Sequence, residues 1–317
     1  MQYLFAKAEN KIVSAETLQE ARWINLYPPF EHGELNTVAE QLNIPLDFLT
    51  DSLDIDERSR YERDENVGFI LVNTPFLNDE DAKEAEAIYI TVPIGIILSE
   101  NRIITISSKE NPILNKFMDQ KVKHFDLEDI KLFVLQLFEQ NVYHFLECLK
   151  KLNLKRNLIE QELYNSSRNK ELQQLLRIEK SLVYFVNSLS TNDLLKLKIK
   201  RTDFLGIRDL EYHTDLFEDI IIDNSQALEM SNVYTNILSG TMEAYASIVS
   251  NNMNLFIHRL TIITIILMVP TLVASFYGMN LNHLPFNDSP YAFYFIILIS
   301  LALGFGLIFF FRSNKGE

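Results

Sequence analysis

The sequence predicts a mixed α/β N-terminal domain, a long helical stalk and two transmembrane helices at the C-terminal end. β-rich runs are confined to residues 1–110 of the 317, and no proline interrupts the helical periodicity from 209 to 269. Two long uncharged segments follow near the C-terminal end. We therefore expect an α/β domain over 1–110, a helical pair over 111–208 and one continuous helix over 209–277.

The N-terminal part contains both strand and helix signals. Helices are predicted for "EHGELNTVAEQLNI" and "PLDFLTDSL", with starts at Glu31 and Pro45. The β-branched and aromatic runs that predict strands are "VGFILVN", "EAIYITVP", "GIILSE" and "RIITIS". From Asn111 onward the strand signals cease, and two helical stretches meet at the polar turn "NSSRN". These stretches predict an antiparallel helical pair beside the stalk.

Two C-terminal segments have the length and composition of membrane spans. "LTIITIILMVPTLVASFY" (260–277) and "AFYFIILISLALGFGLIFFF" (292–311) contain no charged residue. A helix of about 20 apolar residues crosses a bilayer core of about 30 Å. We expect a lipid bilayer around both segments because little chain remains to bury them. A loop over 278–291 then joins the spans, and a tail over 312–317 follows.

Basic residues predict the orientation of the spans. His258 and Arg259 precede the first span, Arg312 and Lys315 follow the second, and the loop between them has no Lys or Arg. The positive-inside rule then places both termini in the cytoplasm and the loop outside. The first residues lack the basic and apolar regions of a signal peptide, so we expect the N-terminal part to stay in the cytoplasm.

Every threonine and serine of the first span, together with Met268, falls on one side of a helix. This polar seam consists of Thr261, Thr264, Met268, Thr271 and Ser275. Intervals of three and four residues keep side chains on one face of a helix. Asn254 and Glu243 continue the line, and a 3–4 alternation extends it back through Ala227 and Ile220 to Leu216.

The polar seam has two interpretations. Small polar residues hold packed helices together in membranes, or the seam lines a water-filled pore. One chain with two spans cannot enclose such a pore, so the second interpretation requires several copies. Met268 would then form an apolar constriction that gates the pore by dewetting.

The end of the first span carries a family resemblance. "PTLVASFYGMN" (270–280), followed by a short loop, a second span and a few basic residues, resembles the CorA family of magnesium channels. Gly-Met-Asn at the outer end of the first of two C-terminal spans is the signature of that family. The layout of the whole chain is similar, most closely over 217–280, and "WINLYPP" (23–29) is similar too.

The resemblance implies a homopentameric channel for Mg²⁺, and for Co²⁺, in the plasma (inner) membrane. The implied selectivity filter is Gly278, Met279 and Asn280, with Asn280 forming a ring around the pore. Tyr277 either supports this filter or is a simple interfacial anchor. We expect Gly278 to end the helix in a left-handed turn. Carried over by position, the pore line is Glu243, Asn254, Leu260, Met268, Thr271 and Asn280, which overlaps the polar seam.

Acidic residues on the stalk are implied to hold a regulatory Mg²⁺. Asp215, Asp219 and Asp223 lie at intervals of four on one helix face, which without context is only a solvated face. The resemblance implies a site between neighbouring protomers, where Asp219 matches the stalk ligand position. The partner from the N-terminal domain is expected at Asn78 or Asp79.

Several other function classes are disfavoured. A net charge of −14 argues against a nucleic-acid partner and is compatible with divalent cations. The sequence contains no glycine run close to GxxxxGK[ST], so no nucleotide cofactor is expected. It also contains no catalytic spacing such as HExxH, so an enzyme is not expected. The single Cys148 excludes an internal disulfide and is expected in the core. Two alternatives stay open: a zinc transporter of the same architecture, and a membrane-anchored coiled-coil sensor or scaffold that conducts nothing.

Overall fold

The computed structural model of this chain forms two compact units, Met1–Met242 and Glu243–Glu317. The structure describes residues 2–8, 11–17, 20–78, 86–99, 102–165, 169–208, 210–279 and 290–313.

The first unit contains one seven-stranded mixed sheet. The strand order in the sheet is β2-β1-β3-β7-β6-β5-β4. Neighbouring strands pair antiparallel, except for β3 and β7, which pair parallel. The strands are β1 (Gln2–Ala8), β2 (Lys11–Ser14), β3 (Trp23–Leu26), β4 (Arg60–Asp64), β5 (Val67–Leu77), β6 (Tyr89–Ser99) and β7 (Arg102–Ser107).

Seven helices complete the described chain, and the longest spans both units. They are α1 (Glu34–Leu42), α2 (Leu46–Asp51), α3 (Pro112–Met118), α4 (Ile130–Asn165), α5 (Asn169–Thr202), α6 (Glu211–Tyr277) and α7 (Ala292–Ser313). Helix α1 begins three residues after the predicted Glu31, because Gly33 adopts a left-handed conformation with φ 81° immediately before it.

The central strands of the sheet are buried on both faces. On one face, Phe69 and Ile97 pack with Phe48 of α2. On the other face, Ile70 and Ile96 pack with residues of α3 and α4. Continuous apolar runs are therefore the expected pattern for β5 and β6, in contrast to the alternation of a sheet with one solvated face.

Strand β6 is a single strand that includes two predicted runs, "EAIYITVP" and "GIILSE", which the sequence separates near Pro93 and Gly95. Pro93 lies beyond the last residue pair of the β6–β7 ladder, Ile94 with Ser107, so it interrupts no pairing to β7. Gly95 is required by packing, because a Cβ atom there would lie 1.8 Å from Oγ of Ser52. Helix α2 thus lies directly on the backbone of the strand.

The four predicted strand runs do not include β1, β2, β3 or β4. Strand β4 is "RYERD" and largely exposed, so it has neither the apolar alternation nor the apolar run of a strand. Trp23 in β3 is fully buried and stacks on Phe5 at a centroid distance of 4.7 Å. The "WINLYPP" motif therefore begins in the core of the N-terminal unit.

Helices α4, α5 and the first part of α6 pack together within the first unit. The buried face of α6 consists of His213, Phe217, Ile220, Asn224, Ala227, Ser231 and Leu238. Phe217 stacks against Phe138 of α4 at 6.2 Å. Cys148 of α4 is 1% exposed, which confirms the expected core position, and burial raises its pKa to about 12.

The second unit contains the rest of α6 and helix α7. Both helices are long and apolar enough to cross a membrane. The predicted combination of a mixed sheet, a long helix and a C-terminal apolar helix is confirmed.

Candidate functional site

The polar seam lies on an unbroken part of α6. All eight side chains predicted to line a pore are exposed in the single chain. They are Glu243, Asn254, Leu260, Thr261, Thr264, Met268, Thr271 and Ser275. Lipid offers no hydrogen-bond partner, so an exposed hydroxyl in an apolar helix bonds to its own helix, to water or to another helix.

Three threonine hydroxyls of the seam donate to the backbone of their own helix. Thr261 and Thr264 donate to the carbonyls of Ile257 and Leu260 at 2.9 Å, and Thr271 donates to that of Leu267 at 2.8 Å. The hydroxyl proton is thereby engaged, and the oxygen lone pairs remain free. The seam therefore presents hydrogen-bond acceptors outward, which suits cations and the water molecules around them.

A different face of α6 lies against α7. This half-buried face consists of Ile262, Ile265, Ile266, Val269, Pro270, Val273 and Tyr277. At Gly304 of α7, an added Cβ would lie 3.7 Å from Cγ of Pro270, so the two helices are in contact there. At about 100° per residue, the centres of this face and of the polar seam are roughly 150° apart. The seam thus points away from α7, although Thr271 also borders a cleft between the two helices.

The backward extension of the seam is wrong for the first unit. Ile220 and Ala227 are 2% and 0% exposed, because this part of α6 needs an apolar face to pack on α4 and α5. A repeat of three and four residues marks any buried helix face. The pattern alone therefore cannot distinguish a core face from an axial one.

The end of α6 differs from the expected left-handed turn. Gly33 and Gly206 have positive φ among the described glycines, and Gly278 does not. The N–H of Gly278 instead donates to the carbonyls of both Ala274 and Ser275, at 3.0 and 3.2 Å. Such shared bonds tighten the last turn of a helix and leave fewer unpaired carbonyls.

The predicted filter lies only partly within the described residues. Gly278 and Met279 directly follow α6 and are exposed, whereas Asn280 lies outside the described part. Tyr277 is half-buried and lines a cleft together with Phe293 of α7. Its predicted role in supporting the filter stays a prediction.

The acidic residues of the stalk lie near a tyrosine on α4, Tyr143, that the sequence did not single out. Asp219 is exposed and Asp223 is half-buried. The pKa of Tyr143 on α4 is raised, mainly by burial. The negative charges of Glu139, Asp223 and, more weakly, Asp219 add to the shift. Contact between α4 and α6 brings these carboxylates near one tyrosine, which no sequence spacing could reveal.

These acids do not form a complete metal site in one protomer. Within the part of the chain that the structure describes, no group of three or more His, Cys, Asp or Glu side chains is arranged to hold a metal ion. Asp79, the predicted partner of Asp219, lies outside that part. A metal site here needs ligands beyond the described residues of one chain.

Comparisons with known proteins agree over nearly the full length. The family model described as "CorA-like Mg2+ transporter protein" matches residues 19–313. The "Cobalt/magnesium transport protein CorA" of Methanocaldococcus jannaschii is 27% identical over 296 residues, covering 92% of this chain and 90% of the relative. The protein of the same name from Thermotoga maritima is 22% identical, covering 92% and 82%.

A solved structure supports the same relationship. "The complete structure of CorA magnesium transporter from Methanocaldococcus jannaschii" matches with a TM-score of 0.81 at 25% identity. The match covers 98% of this chain and 97% of that one. The similarity therefore includes the apolar C-terminal helices as well as the N-terminal sheet.

Proposed function

This chain belongs to the CorA-like Mg²⁺ transporter family, and on that premise we propose that it is a homopentameric channel for Mg²⁺ influx. The observation that carries the proposal is the exposed polar seam, which lies roughly opposite the face packed on α7. Five copies arranged around an axis would bring five seams together and enclose water. Co²⁺ is a second proposed cargo, because two relatives carry the name "Cobalt/magnesium transport protein".

The chemistry of the seam supports a cation pathway over simple helix packing. Because Thr261, Thr264 and Thr271 donate their protons to backbone carbonyls, their oxygens are acceptors toward the axis. Five such oxygens at each level can accept hydrogen bonds from water bound to a cation. Met268, 60% exposed, lies between these levels and is the proposed dewetting gate.

The proposed filter acts on a hydrated ion. Mg²⁺ releases its water reluctantly and prefers six oxygen ligands. A ring of Asn280 amides, following Gly278 and Met279, can bind the waters of the first shell without removing them. A membrane potential of about 100 mV gives a divalent ion about 4.6 kcal/mol on entry, at about 2.3 kcal/mol per charge. Influx therefore needs no nucleotide.

Regulation is proposed at the stalk acids. Mg²⁺ bound between protomers by Asp219 and Asp223, with Asp79 of the neighbouring protomer, would offset carboxylate repulsion and hold the pentamer closed. Loss of cytoplasmic Mg²⁺ would then favour an open state, provided that the closed state binds the ion more tightly. This arrangement requires the N-terminal part to lie in the cytoplasm of the cell, with both termini inside.

Ion uptake into liposomes tests the proposal against its alternatives. Purified protein is reconstituted, an inside-negative potential is imposed, and uptake of Mg²⁺, Co²⁺, Ni²⁺ and Zn²⁺ is compared. We expect Mg²⁺ uptake that rises with the potential. Uptake of Zn²⁺ in preference to Mg²⁺ would support the zinc transporter, and no uptake of any ion would support the non-conducting scaffold.

A pair of variants tests the filter in the same assay. Asn280→Ala should abolish the preference for Mg²⁺ or reduce Mg²⁺ flux at least tenfold, since the ring of amide oxygens is lost. Asn282→Ala removes the same chemical group two residues later and should leave flux and selectivity unchanged. Equal behaviour of the two variants would contradict the role of Asn280.

A further inference from the structure

A second cleft between α6 and α7 lies at the end of the spans remote from Tyr277. Its volume is about 490 Å³, within the range of about 300–1,000 Å³ typical of small-ligand pockets. Most of its wall is aliphatic or aromatic. These apolar wall residues are Leu255, Ile262, Ile263, Ile266, Ile308 and Phe311.

Two arginines from different helices line the same cleft. Arg259 comes from α6 and Arg312 from α7, and His258 lies beside them. Both arginines are exposed. The chain has no Asp or Glu from 244 to 287 or from 289 to 316. Among the described residues from 244 to 313, no carboxylate is therefore available to balance the two guanidinium groups.

The other cleft between the same helices provides an internal comparison. It has a similar volume of about 540 Å³ and is lined by residues such as Pro270, Phe293 and Leu301. Among the described residues, no charged side chain lines it. The combination of paired arginines and an apolar wall is therefore specific to one end of the spans and does not follow from helix packing alone.

A ligand that fits both the arginines and the apolar wall combines an anionic group with a long apolar part. Guanidinium groups bind phosphate in a planar, two-point geometry. Basic pockets between membrane helices bind anionic lipid headgroups, and apolar walls at that depth contact acyl chains. An anionic phospholipid satisfies both requirements, whereas a free inorganic anion leaves the apolar wall uncovered.

We propose that this cleft binds an anionic phospholipid, with its phosphate between Arg259 and Arg312 and an acyl chain along Ile262, Ile266 and Ile308. The proposal rests on the membrane placement of both spans and is independent of ion conduction. Because Arg259 belongs to α6 and Arg312 to α7, the bound lipid would hold the two helices together at this end of the spans.

Native mass spectrometry of the full-length protein tests the proposal. The protein in neutral detergent is mixed with equal amounts of phosphatidylglycerol and phosphatidylcholine that carry identical acyl chains. We expect at least a tenfold preference for phosphatidylglycerol in the wild type. No preference in the wild type overturns the proposal, whatever the variants do.

Matched charge variants locate the binding. Replacement of both arginines (Arg259→Gln with Arg312→Gln) should remove the preference, and Lys315→Gln, which removes one charge outside the cleft, should retain it. Loss of preference in Lys315→Gln to the same degree would mean a diffuse charge effect and overturn the proposal.

Two further outcomes identify other occupants. Displacement of phosphatidylglycerol by excess inorganic phosphate would assign the cleft to a free anion and overturn the proposal. A smaller oligomer mass in the double variant, with lipid retention unchanged, would assign the cleft to a second copy of the chain and overturn it as well.

Discussion

The Nζ atom of Lys196 on α5 lies 2.6 Å from Oδ1 of Asn224 on α6, and both side chains are fully buried. Asn224 in turn donates to the carbonyl of Leu189 at 3.1 Å and to Oδ1 of Asp193 at 3.2 Å. The ring of Phe138 from α4 lies 5.7 Å from the same Nζ atom. This polar contact ties the first part of the long helix to its neighbours inside the core.

Burial gives this contact a dependence on pH. Burial lowers the pKa of Lys196 from 10.5 to about 7, and Asp193 opposes the shift. Between these values the unfolded chain keeps the proton and the folded chain does not. The free energy of unfolding therefore rises with pH above 7, and the full cost of the buried charge is present below it.

Replacement of this lysine should remove that pH dependence. We expect the wild type to gain thermal stability relative to Lys196→Met as the pH is raised from 7 to 9. Melting temperatures of the full-length protein in detergent measure the difference. Lys198→Met, on the exposed side of the same helix, should run parallel to the wild type. Parallel curves for Lys196→Met and the wild type would contradict the assignment.

Cysteine accessibility should distinguish a wet seam from a lipid-facing one. Cys148 is the single cysteine, is 1% exposed and has its pKa raised to about 12 by burial, so the native background is unreactive. Thr264→Cys and Met268→Cys should react with a charged, water-soluble thiol reagent in liposomes.

The control for that experiment lies on the same helix. Ile263 is 54% exposed, similar to Met268 at 60%, and it lies on a different side of α6. Ile263→Cys should react at least tenfold more slowly, since lipid or α7 surrounds it. Equal rates at Ile263 and Thr264 would mean that the seam does not line water.

The proposed regulatory site predicts a charge-specific effect at Asp219. In Asp219→Lys, the added amine would repel Mg²⁺, so closure should require at least tenfold more cytoplasmic Mg²⁺, equivalent to about 1.4 kcal/mol. Currents across planar bilayers at graded Mg²⁺ measure this shift. Glu229→Lys, which makes the same charge change ten residues later on the same helix, is the control and should leave the Mg²⁺ dependence unchanged. An unchanged Mg²⁺ dependence in Asp219→Lys would exclude this residue from regulation.

Two glycine substitutions should have opposite effects on stability. A Cβ at Gly95 would lie 1.8 Å from Oγ and 2.6 Å from Cβ of Ser52, so Gly95→Ala should cost about 1–3 kcal/mol through overpacking. Gly240 is inside α6, and a Cβ added there would meet no described neighbouring atom within 4 Å. Gly240→Ala should stabilise the helix by about 0.5–1 kcal/mol. Thermal unfolding of both variants checks the signs, and a neutral Gly95→Ala would refute the close approach of α2.

The sequence alone determined the features that depend on local composition. The two spans are predicted from uncharged runs of 18 and 20 residues, and the polar seam from its 3–4 spacing. The family is predicted from the Gly-Met-Asn signature, and the family match confirms it. Membrane spans are predictable in this way because a segment that crosses the bilayer needs about 20 largely uncharged residues and satisfies its backbone hydrogen bonds within one helix.

Only the tertiary structure decided which side of each helix is covered. The same 3–4 spacing runs through Ile220, which is buried on α5 and α4, and Thr264, which is exposed. Similarly, the approach of Asp223 to Tyr143 of α4 and the position of Arg259 and Arg312 at one cleft depend on how separate helices dock. Periodicity fixes which residues share a face, but the neighbour of that face is set by contacts between residues distant in the chain.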